Sequence, residues 1–432
     1  MTSMKNENVI KAALLGAGTV GSGVYALSGM LADEMIQKTG GKLEIKKVMV
    51  RNVTKKREGI PQEALTDNWE EILNDEEIQL VIEVMGGVEP AKTYITQAIL
   101  AGKQVVTANK DLLAEYGQEL LALAEERGVD LQFEAAVAGA IPIIRPLKQN
   151  MTASLLTEIM GIVNGTTNYI LTKMAEEGMG YQEALAKATE LGYAEADPTA
   201  DVEGYDAGRK MAIMASLAYN SEVVFSDVYT EGITKITADD IYYAKEFGYV
   251  IKLVGIAKVD DGKIEVKVHP MLIPNHHPLA SVRDSFNAVF LHGEACDDEM
   301  FMGRGAGKMP TASAVMGDAI TVVRNILHDN CGWNGGLAYK KLPVKKIEET
   351  KSRFFLRLRV SERPGTLANI ASVMGNNDVM IDQVYSKYTK DDAQELVITT
   401  GSVLEQDFNN ALMILSGMPA IKEVCGRIRV YG

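Results

Sequence analysis

Residues 9–15 form a short apolar run ending in Gly16-Ala17-Gly18-Thr19-Val20-Gly21, and a segment of helical composition follows through Met30. A strand, a turn with three glycines and a helix, in that order, leave few folds open. The first glycine permits the tight turn and the second lets backbone approach a pyrophosphate. The third lets helix and strand pack closely, with the helix N-terminus facing the phosphates. Further apolar runs at 43–50, 80–84, 104–107 and 131–133 alternate with helical stretches at 90–101 and 110–127. That alternation predicts an α/β fold with a parallel, doubly wound sheet, a Rossmann nucleotide-binding domain over residues 1–145.

The pattern then changes. A strand is predicted at 155–163, helices at 181–191 and 202–218, and strands at 250–258, 264–273 and 287–292. This mixture predicts an α+β catalytic and dimerisation domain over 146–330, an open sheet covered by helices. A helix at 312–326, within a segment 305–330, is expected to return to the first domain. Residues 331–350, rich in Gly, Pro and Lys, are the linker candidate. The remainder, 351–432, reads strand, helix, strand, strand, helix, strand.

Composition narrows the partners. The net charge is −14 with Lys and Arg scattered, which argues against nucleic acid or an anionic membrane. No apolar run approaches the roughly 18 residues of a membrane span, and the polar start does not resemble a signal peptide. Cys296, Cys331 and Cys425 are far apart in sequence; free thiols in a reducing cytoplasm are expected. His276-His277 has no partners at metal-ligand spacing.

The end of the second strand bears on the cofactor. An acidic residue there would bind the ribose 2′-hydroxyl of NAD. The sequence instead offers Arg51, with Lys55, Lys56 and Arg57 beyond. A guanidinium can pair with a 2′-phosphate, so NADP is favoured and Arg51 is its expected determinant.

The segment Gly192 to Lys210 (GYAEADPTADVEGYDAGRK) packs five carboxylates into a loop of small residues and then opens a helix. Asp201 is the expected N-cap of that helix. Asp206 and Lys210 stand four apart, on one face. Such a pair is usually a surface salt bridge. Oxidation of an alcohol, however, needs a group to handle the hydroxyl proton while hydride leaves, and a lysine among carboxylates can do so. The ammonium of an amino-acid substrate could bind Glu195 or another carboxylate of the loop.

This segment resembles the catalytic signature of homoserine dehydrogenases. Its companions follow in order: Val106-Thr107-Ala108-Asn109-Lys110, Phe133-Glu134-Ala135-Ala136-Val137-Ala138-Gly139, Asn164-Gly165-Thr166-Thr167-Asn168-Tyr169, and Gly303-Arg304-Gly305-Ala306-Gly307 before Pro310. The resemblance covers nearly the whole chain. It implies NAD(P)-dependent interconversion of L-homoserine and L-aspartate 4-semialdehyde in threonine, methionine and isoleucine biosynthesis. Lys210 takes the proton-transfer role, Glu195 binds homoserine, and Asp201 and Asp206 complete the pocket. Lys110 lies between cofactor and substrate, with Thr107 in the cofactor set. Gly192, Gly305 and Gly307 approach the nicotinamide half. The resemblance further implies a monovalent cation, sodium, at Glu134, Val137, Gly139 and Ile141, mostly through main-chain carbonyls. Ala140 stands where glycine is more usual in the family, and a positive φ there would strain it.

In the last segment, residues 354–360 alternate as a half-buried strand should, and Ser361-Glu362-Arg363-Pro364-Gly365-Thr366-Leu367 turns into a helix. This resembles a ferredoxin-like ACT domain, whose implied effector is L-threonine. Deletion after Lys346 is then expected to keep activity and abolish threonine sensitivity. A homo-oligomer, dimer or tetramer, is expected. Two rivals fit less well. A semialdehyde dehydrogenase needs a cysteine nucleophile with a base beside it, which no cysteine here offers. A cofactor-binding sensor has no use for aligned acids and lysine.

Overall fold

The computed structural model describes residues 8–388 and 393–432. The chain opens with β1 (Asn8–Leu15), α1 (Thr19–Met30), α2 (Ala32–Thr39), β2 (Gly41–Met49), β3 (Leu65–Thr66), α3 (Glu70–Leu73), β4 (Ile78–Glu83), α4 (Ala91–Leu100), β5 (Gln104–Thr107), α5 (Lys110–Arg127), β6 (Leu131–Gln132) and α6 (Ile144–Lys148). The middle holds β7 (Leu156–Ile162), α7 (Gly165–Glu177), α8 (Tyr181–Glu190), α9 (Thr199–Val202), α10 (Tyr205–Tyr219), β8 (Tyr229–Thr230), α11 (Ala238–Glu246), β9 (Tyr249–Asp260), β10 (Lys263–Pro274), β11 (Phe286–Gly293), β12 (Asp297–Arg304) and α12 (Lys308–Leu327). The last elements are β13 (Lys351–Ser361), α13 (Thr366–Asn376), β14 (Ile381–Tyr388), β15 (Ala393–Thr400), β16 (Val403–Leu404), α14 (Glu405–Ser416) and β17 (Ile421–Val430).

These elements form two compact units. One comprises residues 1–159, 209–228 and 286–342, the other 160–208, 229–285 and 343–432. In the first, β1–β6 make a parallel sheet in the order β3-β2-β1-β4-β5-β6. The order reverses between β1 and β4, so the crevice at their carboxyl ends is a topological switch point. Gly16 ends β1 at that point.

Helix α12 packs on α1 within this unit. Its Ala312, Val315, Met316, Ala319, Val322 and Val323 are buried, a stripe at helical spacing. Each larger member contributes roughly 1.5–3 kcal/mol by burial. Gly23 allows the close approach: a Cβ there would lie 2.8 Å from the Lys308 carbonyl oxygen. Strands β11 and β12 form an antiparallel hairpin, Phe286 opposite Arg304. The acid-rich strand β12 was not expected from sequence.

The glycine-rich segment after Cys331 is not a slack linker. Asn334 accepts the Leu131 amide at 2.6 Å and donates to the Val129 carbonyl at 2.8 Å, occupying the edge of β6 as another strand would. Gln118 bonds the Gly336 carbonyl and the Ala338 amide. Backbone groups that would otherwise be orphaned are thus paired.

In the second unit the strand order is β7-β9-β10-β17-β13-β15-β14. Strands β9 and β10 pair from Tyr249↔Pro274 to Asp260↔Lys263. Asp261-Gly262 turns between them with φ of 50° and 70°, the conformation a two-residue hairpin demands. The segment expected to stand alone from 351 shares this unit, because β17 pairs with β10 through Met271↔Arg429 and Leu272↔Val430. Nor is β13 half-buried. Phe354, Leu356, Leu358 and Val360 pack with Ile370, Met374, Phe408 and Leu415 of α13 and α14. The opposite face meets α11 and its flanks: Phe355 lies edge-on to Phe247, and the Arg357 guanidinium reaches Asp240 at 3.1 Å.

Candidate active site

Gly16 has φ +103° and abuts β4: a Cβ on it would lie 3.0 Å from the Val84 carbonyl oxygen. At Gly21 a Cβ would meet the Gly16 carbonyl oxygen at 2.1 Å, so both glycines are obligatory. Gly18 is different. A Cβ there would meet nothing within 4 Å, and Gly18 caps α1 with no side-chain bond and no acid in the first turn. Gly16, Ala17, Gly18, Thr19, Val20 and Gly21 therefore bring the positive end of α1 to the switch point with its surface open, which fits a dinucleotide pyrophosphate. Arg51 is exposed just past β2. The basic loop beyond it is ordered by Asn52, whose Oδ1 accepts the Thr54 and Lys55 amides.

Thr107 is fully buried, and its hydroxyl donates to Glu83 Oε2 at 2.5 Å. Its hydroxyl also accepts the Asn109 amide at 3.1 Å. Glu83 in turn accepts the Met85 and Gly86 amides. Burial pushes its carboxyl above the usual range, against the pull of those donors.

Helix α5 is capped by Asn109, which accepts the Leu112 amide and donates to the Gly87 carbonyl at 2.6 Å. Lys110 is thereby fixed as the first residue of α5, at the end of β5. The next residue, Asp111, pairs with Arg209 of α10 at 3.0 Å. Arg209 also lies over the Phe225 ring, 4.6 Å from its centroid.

The five-carboxylate segment departs from its sequence expectation. The predicted helix over 202–218 is α10, beginning at Tyr205, while Thr199–Val202, expected as loop, form the short α9, and Gly204 with φ +82° separates the two. Asp201 lies inside α9 and is not a cap. Asp197 accepts the Thr199 amide at 3.1 Å instead, and its bonds from Thr199 hold its carboxyl below the usual range. Asp201 faces Asn164. That side chain, the cap of α7, donates to Asp201 Oδ1 at 2.7 Å and to Asp206 Oδ2 at 2.9 Å. Asn164 was part of a quoted motif, yet sequence reading gave it no role. Asp206 and Lys210 are both buried, one turn apart on α10. Glu195 and Gly192 are exposed on the preceding loop. The loop is anchored by a 2.7 Å bond from Thr166 to the Tyr193 carbonyl and by Tyr169 against Tyr193.

Glu134, Val137, Gly139 and Ile141 fall in one buried loop. The Glu134 carboxylate is committed: it accepts the Ile143, Ile144 and Arg145 amides at 2.6, 2.8 and 2.9 Å. Its main-chain oxygen accepts only the long 3.4 Å bond from the Val137 amide. The left-handed residues are Ala138 (φ 55°) and Gly139 (φ 56°), while Ala140 escapes the strain expected for it. Carbonyl oxygens in such a turn suit a hard monovalent ion. Among the described residues no group of three His, Cys, Asp or Glu side chains could hold a metal. Asp318 braces the loop by accepting the Glu134 amide at 2.7 Å and pairing with Arg145 at 2.8 Å.

Gly139 also meets the other glycine loop. A Cβ on it would lie 2.4 Å from the Gly305 carbonyl oxygen, and a Cβ on Gly305 would lie 2.0 Å from the Asn287 amide nitrogen. Ala140 donates to the Arg304 carbonyl at 3.1 Å. Gly307, at φ +123°, starts α12.

Two family models match the chain: "Homoserine dehydrogenase, NAD binding domain" over residues 16–134 and "Homoserine dehydrogenase" over 142–320. The chain is 45% identical to the homoserine dehydrogenase of Bacillus subtilis (strain 168), with 98% of each covered. The solved structure of a homoserine dehydrogenase from Thiobacillus denitrificans matches with a TM-score of 0.92 at 39% identity, covering 98% of this chain and 99% of that one. A hyperthermophilic archaeal homoserine dehydrogenase mutant in complex with NADPH matches with a TM-score of 0.62 at 27% identity, covering 73% of this chain and 97% of that one.

Proposed function

The chain belongs to the homoserine dehydrogenase family of NAD(P)-dependent oxidoreductases, and on that premise we propose that it interconverts L-homoserine and L-aspartate 4-semialdehyde with NADP. The observation that carries the substrate reading is the buried Asp206 and Lys210 on α10, with Asp201 tied to Asp206 through Asn164.

In the oxidative direction, Lys210 accepts the hydroxyl proton of homoserine. The hydride and its electron pair leave the carbinol carbon, which becomes the aldehyde. The bound nicotinamide ring supplies the hydride acceptor. Asp206 orients Lys210, Asp201 completes the pocket, and Glu195 binds the substrate ammonium. Lys110 stands between substrate and cofactor. The Gly16–Gly21 turn holds the pyrophosphate, Arg51 the 2′-phosphate, and Gly192, Gly305 and Gly307 the nicotinamide half.

Around this core we place a sodium ion on the main-chain oxygens of Glu134, Val137, Gly139 and Ile141. The βαββαβ segment 351–432 serves as an ACT domain reading L-threonine, end product of a threonine, methionine and isoleucine pathway. The enzyme acts in the cytoplasm as a homo-oligomer.

The direct test is spectrophotometric: NADPH formation on adding L-homoserine, with Lys210→Ala as control. Loss of about a hundredfold or more in kcat is expected for that variant, and near-normal turnover removes the role given to Lys210. Arg51→Ala is expected to raise KM for NADP about tenfold while leaving NAD little changed. An unaltered preference overturns that assignment.

A further inference from the structure

We infer that Asn164 is a positioning residue of the substrate pocket, its single amide holding Asp201 and Asp206 side by side. The inference rests on the reading of these two acids as pocket carboxylates.

In one unbroken helix, residues five apart point roughly 140° away from each other. Asp201 and Asp206 would then face different ways. The break at Gly204 changes this. Its φ of +82° ends α9 and restarts the chain as α10. The break is held from outside, since Ile233 donates to the Val202 carbonyl at 2.8 Å and Gly232 lies where a Cβ would meet that same oxygen at 2.2 Å. Both acids now reach one side chain, at 2.7 and 2.9 Å.

Asn164 suits the task by its chemistry. Its Oδ1 accepts the Thr167 amide and the Thr167 hydroxyl, both at 2.9 Å. This fixes the amide orientation, because a flip would set nitrogen against an N–H and oxygen against two carboxylates. Both N–H bonds of Nδ2 are then spent on the acids. Two carboxylates so placed repel each other, and donors between them offset that repulsion. Asn164 itself is 5% exposed, so water cannot readily replace it.

The test separates bridging from capping. Asn164→Asp keeps the size and the cap on α7 but sets a third carboxylate against the pair. Asn164→Ser keeps a cap and lacks the bridging nitrogen, and Asn164→Ala loses both. The expected order of harm to KM for homoserine is Asp worst, by about tenfold or more, with Ser and Ala milder. KM for the dinucleotide stays within about twofold, because the bridge touches no cofactor group. If Asn164→Asp is near normal and Asn164→Ala is worst, capping alone matters and the inference is overturned. Should Asn164→Asp fail to fold, a normal homoserine KM for Asn164→Ser overturns it equally. Asp206→Asn guards the underlying reading. Harm there without harm in the Asn164 series sinks only the bridge, while a harmless Asp206→Asn sinks the pocket assignment itself.

Discussion

Arg209 meets Asp111 at 3.0 Å, and each is the chain neighbour of a lysine assigned to the reaction, Lys210 and Lys110. The pair thus ties the first turn of α5 to the first turns of α10. Both side chains are partly exposed, so its contribution to stability is small; its expected effect is on alignment. Arg209→Gln and Asp111→Asn should each lower kcat about three- to tenfold, with dinucleotide KM unchanged. Arg209→Lys should recover part of the loss. Steady-state kinetics on the three variants decides the matter, and wild-type kcat in both neutral variants would count against it.

Gly139→Ala combines two faults: φ is +56° and the new methyl would lie 2.4 Å from the Gly305 carbonyl oxygen. The cost is about 2 kcal/mol or more. A lower Tm and weakened dinucleotide binding are expected together, since the 303–307 loop must move. A variant that melts normally and titrates dinucleotide fluorescence normally contradicts this.

Lys252 is buried, and its amine donates to Asn168 Oδ1 at 3.0 Å and to the Val282 carbonyl at 2.6 Å. Two acceptors match the two N–H bonds of a neutral amine. Burial pushes its pKa down from 10.5 to about 8. Between those values the unfolded chain holds the proton and the folded chain does not, so this group adds stability as pH rises through the window. The difference in Tm between wild type and Lys252→Met should therefore grow from pH 8 to pH 10.5. A flat difference would show that the amine stays charged.

Deletion after Lys346 is predicted to do more than desensitise the enzyme. It removes the strand paired with β10 and the buried Arg429, which bonds Glu405 at 2.6 and 2.8 Å and Glu231 at 2.7 Å. Glu231 would be stranded without those guanidinium partners. The expected product is insoluble or inactive, as sedimentation and assay would show. An active, soluble truncation would contradict this, and the proposed threonine sensitivity is better probed by point variants in residues 361–366.

The Gly16–Gly21 turn was legible because Gly16 and Gly21 answer local backbone demands, while Gly18 leaves the surface open for a ligand. The parallel sheet around it is marked by the alternation of strand and helix runs, whereas the order β3-β2-β1-β4-β5-β6 is not. Hairpin β9–β10 was marked by Asp261-Gly262, and α11 by the capping box Thr237-Ala238-Asp239-Asp240, which the sequence reading passed over. The break at Gly204 was not legible, since a lone glycine within an alanine-rich helical pattern is ordinarily tolerated. Nor was the role of Asn164, whose partners lie 37 and 42 residues away. Strand β12 was hidden by its composition: Asp297, Asp298 and Glu299 carry little strand propensity. The second face of β13 was hidden by Arg357, which reads as a solvent residue until Asp240 and Glu395 are seen around it.

The packing of α12 on α1 has a consequence for how the chain is made. Synthesis delivers the Rossmann strands first, yet the stripe from Ala312 to Val323 that covers them emerges only after residues 160–208 and 229–285 of the other unit. Neither unit can close while the ribosome is midway. Through that interval the apolar surface of α1 and the sheet that α12 covers stays exposed, the condition under which nascent chains recruit holdase chaperones or aggregate.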